Sequence, residues 1–149
     1  MKFCYSRTGV ELSGTCSGTY DDLISTYITS PNYPQKYDNV ADCSWIITSL
    51  KERTIVLTFT DFETEKKYDY LAIYNGSNDE GVQLKKLSGN FLPSSISFIG
   101  KSMYLKFKSD SSGTRKGFKM SISYGEYVIQ SLFRMMFEFL SPYNYVIQV

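Results

Sequence analysis

The chain has 149 residues, a formal net charge of +1, three cysteines and no histidine. That length suits one domain with a short appendage and is enough to bury a core. Without histidine there is no Ser-His-Asp triad, Cys-His dyad or Cys2His2 finger. Three cysteines cannot build a Cys4 zinc site or two disulfides, and the near-neutral charge gives no global pull toward nucleic acid or acidic lipid.

Residues 1–26 are polar and turn-rich, with Gly9, Gly14 and Gly18. Arg7 and Glu11 interrupt any apolar run of the roughly 7–15 residues a secretory signal needs. No stretch of the chain reaches the roughly 18 apolar residues of a membrane span. From Tyr27 the composition changes to runs of Val, Ile, Thr, Tyr and Phe bounded by Gly, Pro, Asn, Asp or Ser. These runs predict strands over residues 27–29, 44–49, 54–64, 70–74, 83–87, 95–99, 103–109 and 118–124. The clearest alternation sets Ile55, Leu57 and Phe59 against Val56, Thr58 and Thr60. Leu105 and Phe107 against Tyr104, Lys106 and Lys108 is nearly as clear. Period two puts one set inward and the other outward. Many short strands with no convincing helix between them predict an all-β, antiparallel β-sandwich. Basic residues are interspersed with acidic ones along the chain, which argues against a nucleic-acid partner.

After Tyr124 the pattern changes again. Val128, Leu132, Met135, Met136, Phe139 and Leu140 fall at helical spacing, with Gln130, Arg134 and Glu138 on another face. This predicts an amphipathic C-terminal helix of about four turns, stopped by Pro142. Three readings stay open: a helix docked on the sandwich, a membrane contact by residues 127–140, or a segment foreign to the fold. The membrane reading is the weaker one, because the polar face of an interfacial helix is normally rich in Lys and Arg and only Arg134 is present.

Two local patterns carry chemistry. Asp61, Glu63 and Glu65 share one parity, so on a strand they face one side. Three carboxylates in a row repel one another unless they are solvated or neutralised. Lys66 and Lys67 could supply the counter-charge, or a cation could. Asn75-Gly76-Ser77 fits both an N-glycosylation acceptor and a type I′ hairpin turn, and the turn reading leads.

Several further motifs occur in a set order. They are Ser30-Pro31-Asn32-Tyr33-Pro34, Cys43-Ser44-Trp45, Phe62-Glu63-Thr64-Glu65, Tyr68-Asp69-Tyr70-Leu71 and Ile73-Tyr74-Asn75-Gly76, followed by Leu87-Ser88-Gly89, Phe107-Lys108-Ser109-Asp110 and Lys116-Gly117-Phe118. In this order and spacing the chain resembles a CUB domain, the extracellular module of complement proteases, tolloid-type metalloproteases, cubilin-like receptors and spermadhesins. The resemblance implies a jelly-roll-like sandwich over residues 16–124, an N-terminal extension over 1–15 and a non-family tail over 125–149. It implies a disulfide between Cys16 and Cys43. The family's second pair is missing: Ser88 stands where many members carry Cys, and its partner is replaced in the Lys66-Lys67 region. Cys4 is left over.

The resemblance also implies a Ca2+ site. Its ligands would be Glu65, Asp69, Asp110 and Ser112, with Tyr37 supporting the carboxylates. Gly113 stands where Asn is common, so one side-chain ligand is missing, and the three residues between Glu65 and Asp69 make a shorter loop than most calcium-binding members have. Glu65, Asp69, Asp110 and Tyr37 would also receive a basic side chain of an extracellular protein partner. The expected function is a non-catalytic recognition or adhesion module, secreted or part of an ectodomain, with no nucleic acid bound. Two alternatives remain open: an accessory fragment of a secreted protease whose catalytic domain lies outside this chain, and a carbohydrate-binding, spermadhesin-like domain.

Overall fold

The structure is a computed structural model and describes residues 16–21 and 26–127. The N-terminal extension with Cys4, and the amphipathic segment from Val128 onward with its membrane reading, lie outside the described residues. Seven strands are present: β1 (Ser17–Tyr20), β2 (Thr26–Thr29), β3 (Asp42–Glu63), β4 (Tyr70–Asn75), β5 (Gln83–Leu87), β6 (Ile96–Lys108) and β7 (Gly117–Tyr127). Among the described residues there is no helix, and none long and apolar enough to cross a membrane.

Two long strands organise the molecule. Residues 42–48 of β3 pair with residues 102–108 of β6, and residues 53–57 pair with residues 96–100. The register shifts between Thr48 and Arg53. On the first stretch β3 has β1 on its other side; on the second it has β7. β3 and β6 therefore bend together and pass from one layer to the other, as strands do at the corners of a sandwich. One layer runs β5-β4-β6-β3-β1 and the other β2-β7-β3-β6. All pairings are antiparallel except that of β1, which runs parallel to β3.

Three features differ from the expectation. The stretches 44–49 and 54–64 are one strand, as are 95–99 and 103–109. Their apolar alternation lapses at Leu50-Lys51-Glu52 and at Gly100-Lys101, which reads as a turn, but each strand stays extended through the corner and the ladder resumes at Arg53 and Gly100. β1 was not expected, because Ser17, Gly18 and Thr19 carry no apolar run; it is a sheet-edge strand tied down beside Cys16. β7 runs past Tyr124 to Tyr127, where the Arg53 guanidinium donates to the Gly125 carbonyl at 2.9 Å and lies 4.9 Å from the Tyr124 ring.

The core lies between the layers. Cys43, Trp45 and Ile47 of β3, Leu71 and Ile73 of β4, and Met103, Leu105 and Phe107 of β6 point into it from one side. Ile55, Leu57 and Phe59 of β3 and Phe118, Met120 and Ile122 of β7 meet them from the other. Phe118 joins the layers, with its ring edge-on to Trp45 at 5.9 Å and to Phe107 at 5.4 Å. A register irregularity between Phe59 and Asp61 then switches the buried parity to Phe62 and Thr64. That switch leaves Asp61 and Glu63 outward and delivers Glu65 to one end of the sandwich.

Candidate metal centre

Glu65 lies just after β3, Asp69 just before β4 and Asp110 just after β6. Neighbouring strand ends bring the three together, and one carboxylate oxygen of each lies within 4.8 Å of the others. The short turn between Glu65 and Asp69 is closed by the Asp69 N–H donating to the Glu65 carbonyl at 3.1 Å. The Thr64 hydroxyl donates to the Asp69 carbonyl at 3.3 Å and accepts the Gly89 N–H at 3.0 Å. The Ser88 hydroxyl donates to the Glu65 carbonyl at 3.1 Å and accepts the Lys67 N–H at 2.8 Å. At the position where the resemblance implies a missing second bridge, a hydroxyl fastens the turn.

Asp69 is fully buried. One of its oxygens accepts the Tyr37 hydroxyl at 2.5 Å and the other accepts the Asp110 N–H at 2.8 Å. Tyr37 is 1% exposed, packs edge-on to Phe107, and its hydroxyl oxygen also accepts the Glu65 N–H at 3.0 Å. Burial, and then the Asp69 carboxylate, push the Tyr37 phenol well above its ordinary value, so it stays a donor. Asp110 accepts the Ser112 N–H on its carboxylate at 2.9 Å and the Val40 N–H on its carbonyl at 2.6 Å. Ser112 thus meets the cluster through its backbone, and its side chain is exposed.

Glu65 faces Arg115, whose guanidinium lies 3.5 Å from the carboxylate. Gly113, at φ +82°, makes room for that carboxylate, since a Cβ there would fall on it. Further out, Asp61 accepts the Tyr33 hydroxyl at 2.9 Å and pairs with Lys116. Burial works to raise the Asp61 carboxyl, but Lys116 and Tyr33 outweigh it and hold it below the usual carboxylate range. Among the described residues, the ion pairs to this acidic row come from Lys116 and Arg115 rather than from Lys66 and Lys67. Sequence reasoning missed both; a basic dipeptide just before Gly117-Phe118 was the only available sign.

The remaining site residues are also placed. Cys16 and Cys43 form a disulfide. Asn75 ends β4, and its N–H donates to the Val82 carbonyl at 2.9 Å, so the turn spans residues 76–81. This corrects the two-residue type I′ hairpin. Gly76 does take a positive φ of 110°, but its N–H donates to the Ser102 carbonyl of β6, which carries the pairing with β6 one residue past β4.

The donor set suits a hard cation. All three side chains offer carboxylate oxygens, they come from two distant chain segments, and Asp69 is held by two donors that leave lone pairs free. A calcium ion takes six to eight oxygens, so water or carbonyl oxygens would complete the shell.

A CUB domain family model matches residues 16–122. The chain belongs to the CUB domain family. This CUB domain is 37% identical over 103 residues to mouse tolloid-like protein 1, covering 66% of this chain and 10% of that protein. It therefore spans about a tenth of the relative it matches. Among solved structures it resembles the MASP-1 CUB2 domain, bound to Ca2+ in that crystal, with 32% identity, a TM-score of 0.63, and coverage of 72% of this chain and 98% of that one. It also resembles part of the full extracellular region of zebrafish Gpr126, with 29% identity, a TM-score of 0.64, and coverage of 74% and 15%. CUB domains are generally non-catalytic interaction modules.

Proposed function

We propose that this CUB domain is an extracellular, non-catalytic recognition module that holds Ca2+ among Glu65, Asp69, Asp110 and Ser112 and presents these acids to a basic side chain of a partner protein. The observation that carries the reading is the convergence of three carboxylates, one of them the fully buried Asp69. Burying a carboxylate is costly unless it is hydrogen-bonded or paired with a cation. Tyr37 and the Asp110 N–H meet the first need, and a bound cation would meet the second. Tyr37 sets the spacing between Asp69 and the Glu65 backbone, and Val40 and Ser112 fix the Asp110 loop. When bound, the ion supplies two positive charges to three carboxylates and orders their loops. The remaining charge is what a Lys or Arg of the partner would meet, in hydrogen bonds strengthened by charge.

The likeness to the calcium-bound MASP-1 CUB2 domain and to an extracellular region supports this reading. In the same compartment Asn75 would be open to glycosylation, which intact-mass measurement of secreted material would reveal. The decisive experiment is a calcium titration by calorimetry on the oxidised protein, beside Asp69→Ala. Saturable heat in the parent protein and none in the variant is the expected result. No heat in either would sink the calcium reading.

A further inference from the structure

The three carboxylates of the cluster are not electrostatically alike. Asp69 and Asp110 are held by neutral donors: a phenol hydroxyl and backbone N–H groups. Among the described residues, only Glu65 of the three faces a cation of its own chain, the Arg115 guanidinium at 3.5 Å. Two further features show that this contact is built into the loop. The other arm of the guanidinium donates to the carbonyls of Gly113 and Thr114, both at 2.9 Å, which pins it over its own loop. Gly113, in a left-handed conformation that side chains rarely adopt, leaves open the space into which the Glu65 carboxylate settles. The Arg115 carbonyl in turn accepts the Tyr37 N–H at 3.1 Å, so the loop carrying the cation is fastened to the residue that orients Asp69.

We propose that Arg115 is a tethered counter-ion for Glu65, which an incoming cation has to outcompete. This inference rests on the calcium reading of the same site and adds its regulation. Three carboxylates and one divalent ion leave one negative charge. Arg115 already answers that charge from within the chain. A fixed positive charge beside a cation site lowers affinity for every cation that enters, whether a divalent ion or the ammonium of a partner. The chain therefore holds its ion more weakly than its carboxylates alone would. It compensates by keeping the ion-free cluster intact, because Glu65 is not left unpaired against Asp69 and Asp110.

The test uses Arg115→Gln, Glu65→Gln and the double variant, with calcium titration and denaturant unfolding in EDTA. Arg115→Gln should bind calcium about two- to fivefold more tightly, the range set by removing one partly exposed ion pair. The gain should shrink at high salt. In EDTA, Arg115→Gln should be less stable than the parent protein, and the loss should largely disappear when Glu65→Gln is already present. Arg115→Lys, which keeps the charge but not the fork, should retain the weaker calcium affinity. Unchanged or weaker calcium binding by Arg115→Gln would overturn the proposal. If no protein in the set binds calcium, the calcium reading fails by itself, and the EDTA cycle still decides the counter-ion role: additive losses from the two single variants would refute it.

Discussion

A carboxylate with no exposed surface has to be held by its neighbours, and for Asp69 those neighbours are Tyr37 and the Asp110 backbone. Tyr37→Phe keeps the ring packed against Phe107 but leaves Asp69 without one donor and the Glu65 N–H without its acceptor. It should cost about 1–3 kcal/mol in denaturant unfolding and weaken calcium binding along with it. A variant as stable as the parent would mean that water replaces the phenol freely. Asp61 gives a pH signature. Its carboxyl titrates lower in the folded protein than in the unfolded chain, whose ordinary value is about 3.9. Such a group contributes stability that is fully present above the unfolded value and is lost as the pH falls through the lowered folded value. Lys116→Met removes the strongest cause of the lowering, so its stability should fall at neutral pH and decline less steeply on acidification below about pH 4. Parallel acid limbs in the two proteins would show that the pair carries no linkage.

At the scale of elements, β1 is held by one short ladder and by a covalent bond at its start. It is a sheet-edge strand, pairs only with β3 among the described strands, and is fastened covalently beside its first residue by Cys16–Cys43. Closing a loop with a sequence separation of 27 restricts the unfolded chain by about 3.5 kcal/mol in the chain-entropy model. Reduction should therefore lower stability by roughly 3 kcal/mol, and the amides of β1 should lose hydrogen-exchange protection before those of β7. Uniform loss across both strands would argue that β1 is held by its ladder instead. β1 was invisible in the sequence because Ser17-Gly18-Thr19 is polar and only Tyr20, at its end, reaches the core. The interior strands were legible because alternation records burial directly, as at Ile55, Leu57 and Phe59. Alternation stops recording at corners, where Leu50 is 79% exposed although the strand runs on. The carboxylates of the site were legible through the order of short motifs around them. Arg115 and Ser88 were not, because contacts made to backbone carbonyls and across strand ends leave no period in the sequence.

At the scale of the whole molecule, the acidic cluster joins segments that are distant in the chain. Glu65 and Asp69 sit at a β3–β4 connection, while Asp110 follows β6, 41 residues after Asp69. An ion held among them would act as a cross-link present only in the folded state, because no such constellation exists in the unfolded chain. Its contribution follows from mass action, RT ln(1 + [Ca2+]/Kd). Extracellular modules bind calcium with Kd of about 10⁻⁴–10⁻³ M, so about 2 mM calcium should add about 0.6–1.8 kcal/mol. For a domain of about 100 residues that is a rise in Tm of roughly 3–10 °C, reversed by EDTA. Magnesium separates a coordinated ion from simple screening of the carboxylates. It carries the same charge but demands tighter octahedral geometry and gives up water reluctantly, so it should raise the Tm much less at equal concentration. Equal shifts with the two ions would mean that the cluster gains only from ionic strength, with Arg115 and Lys116 as the permanent counter-ions of the acidic row.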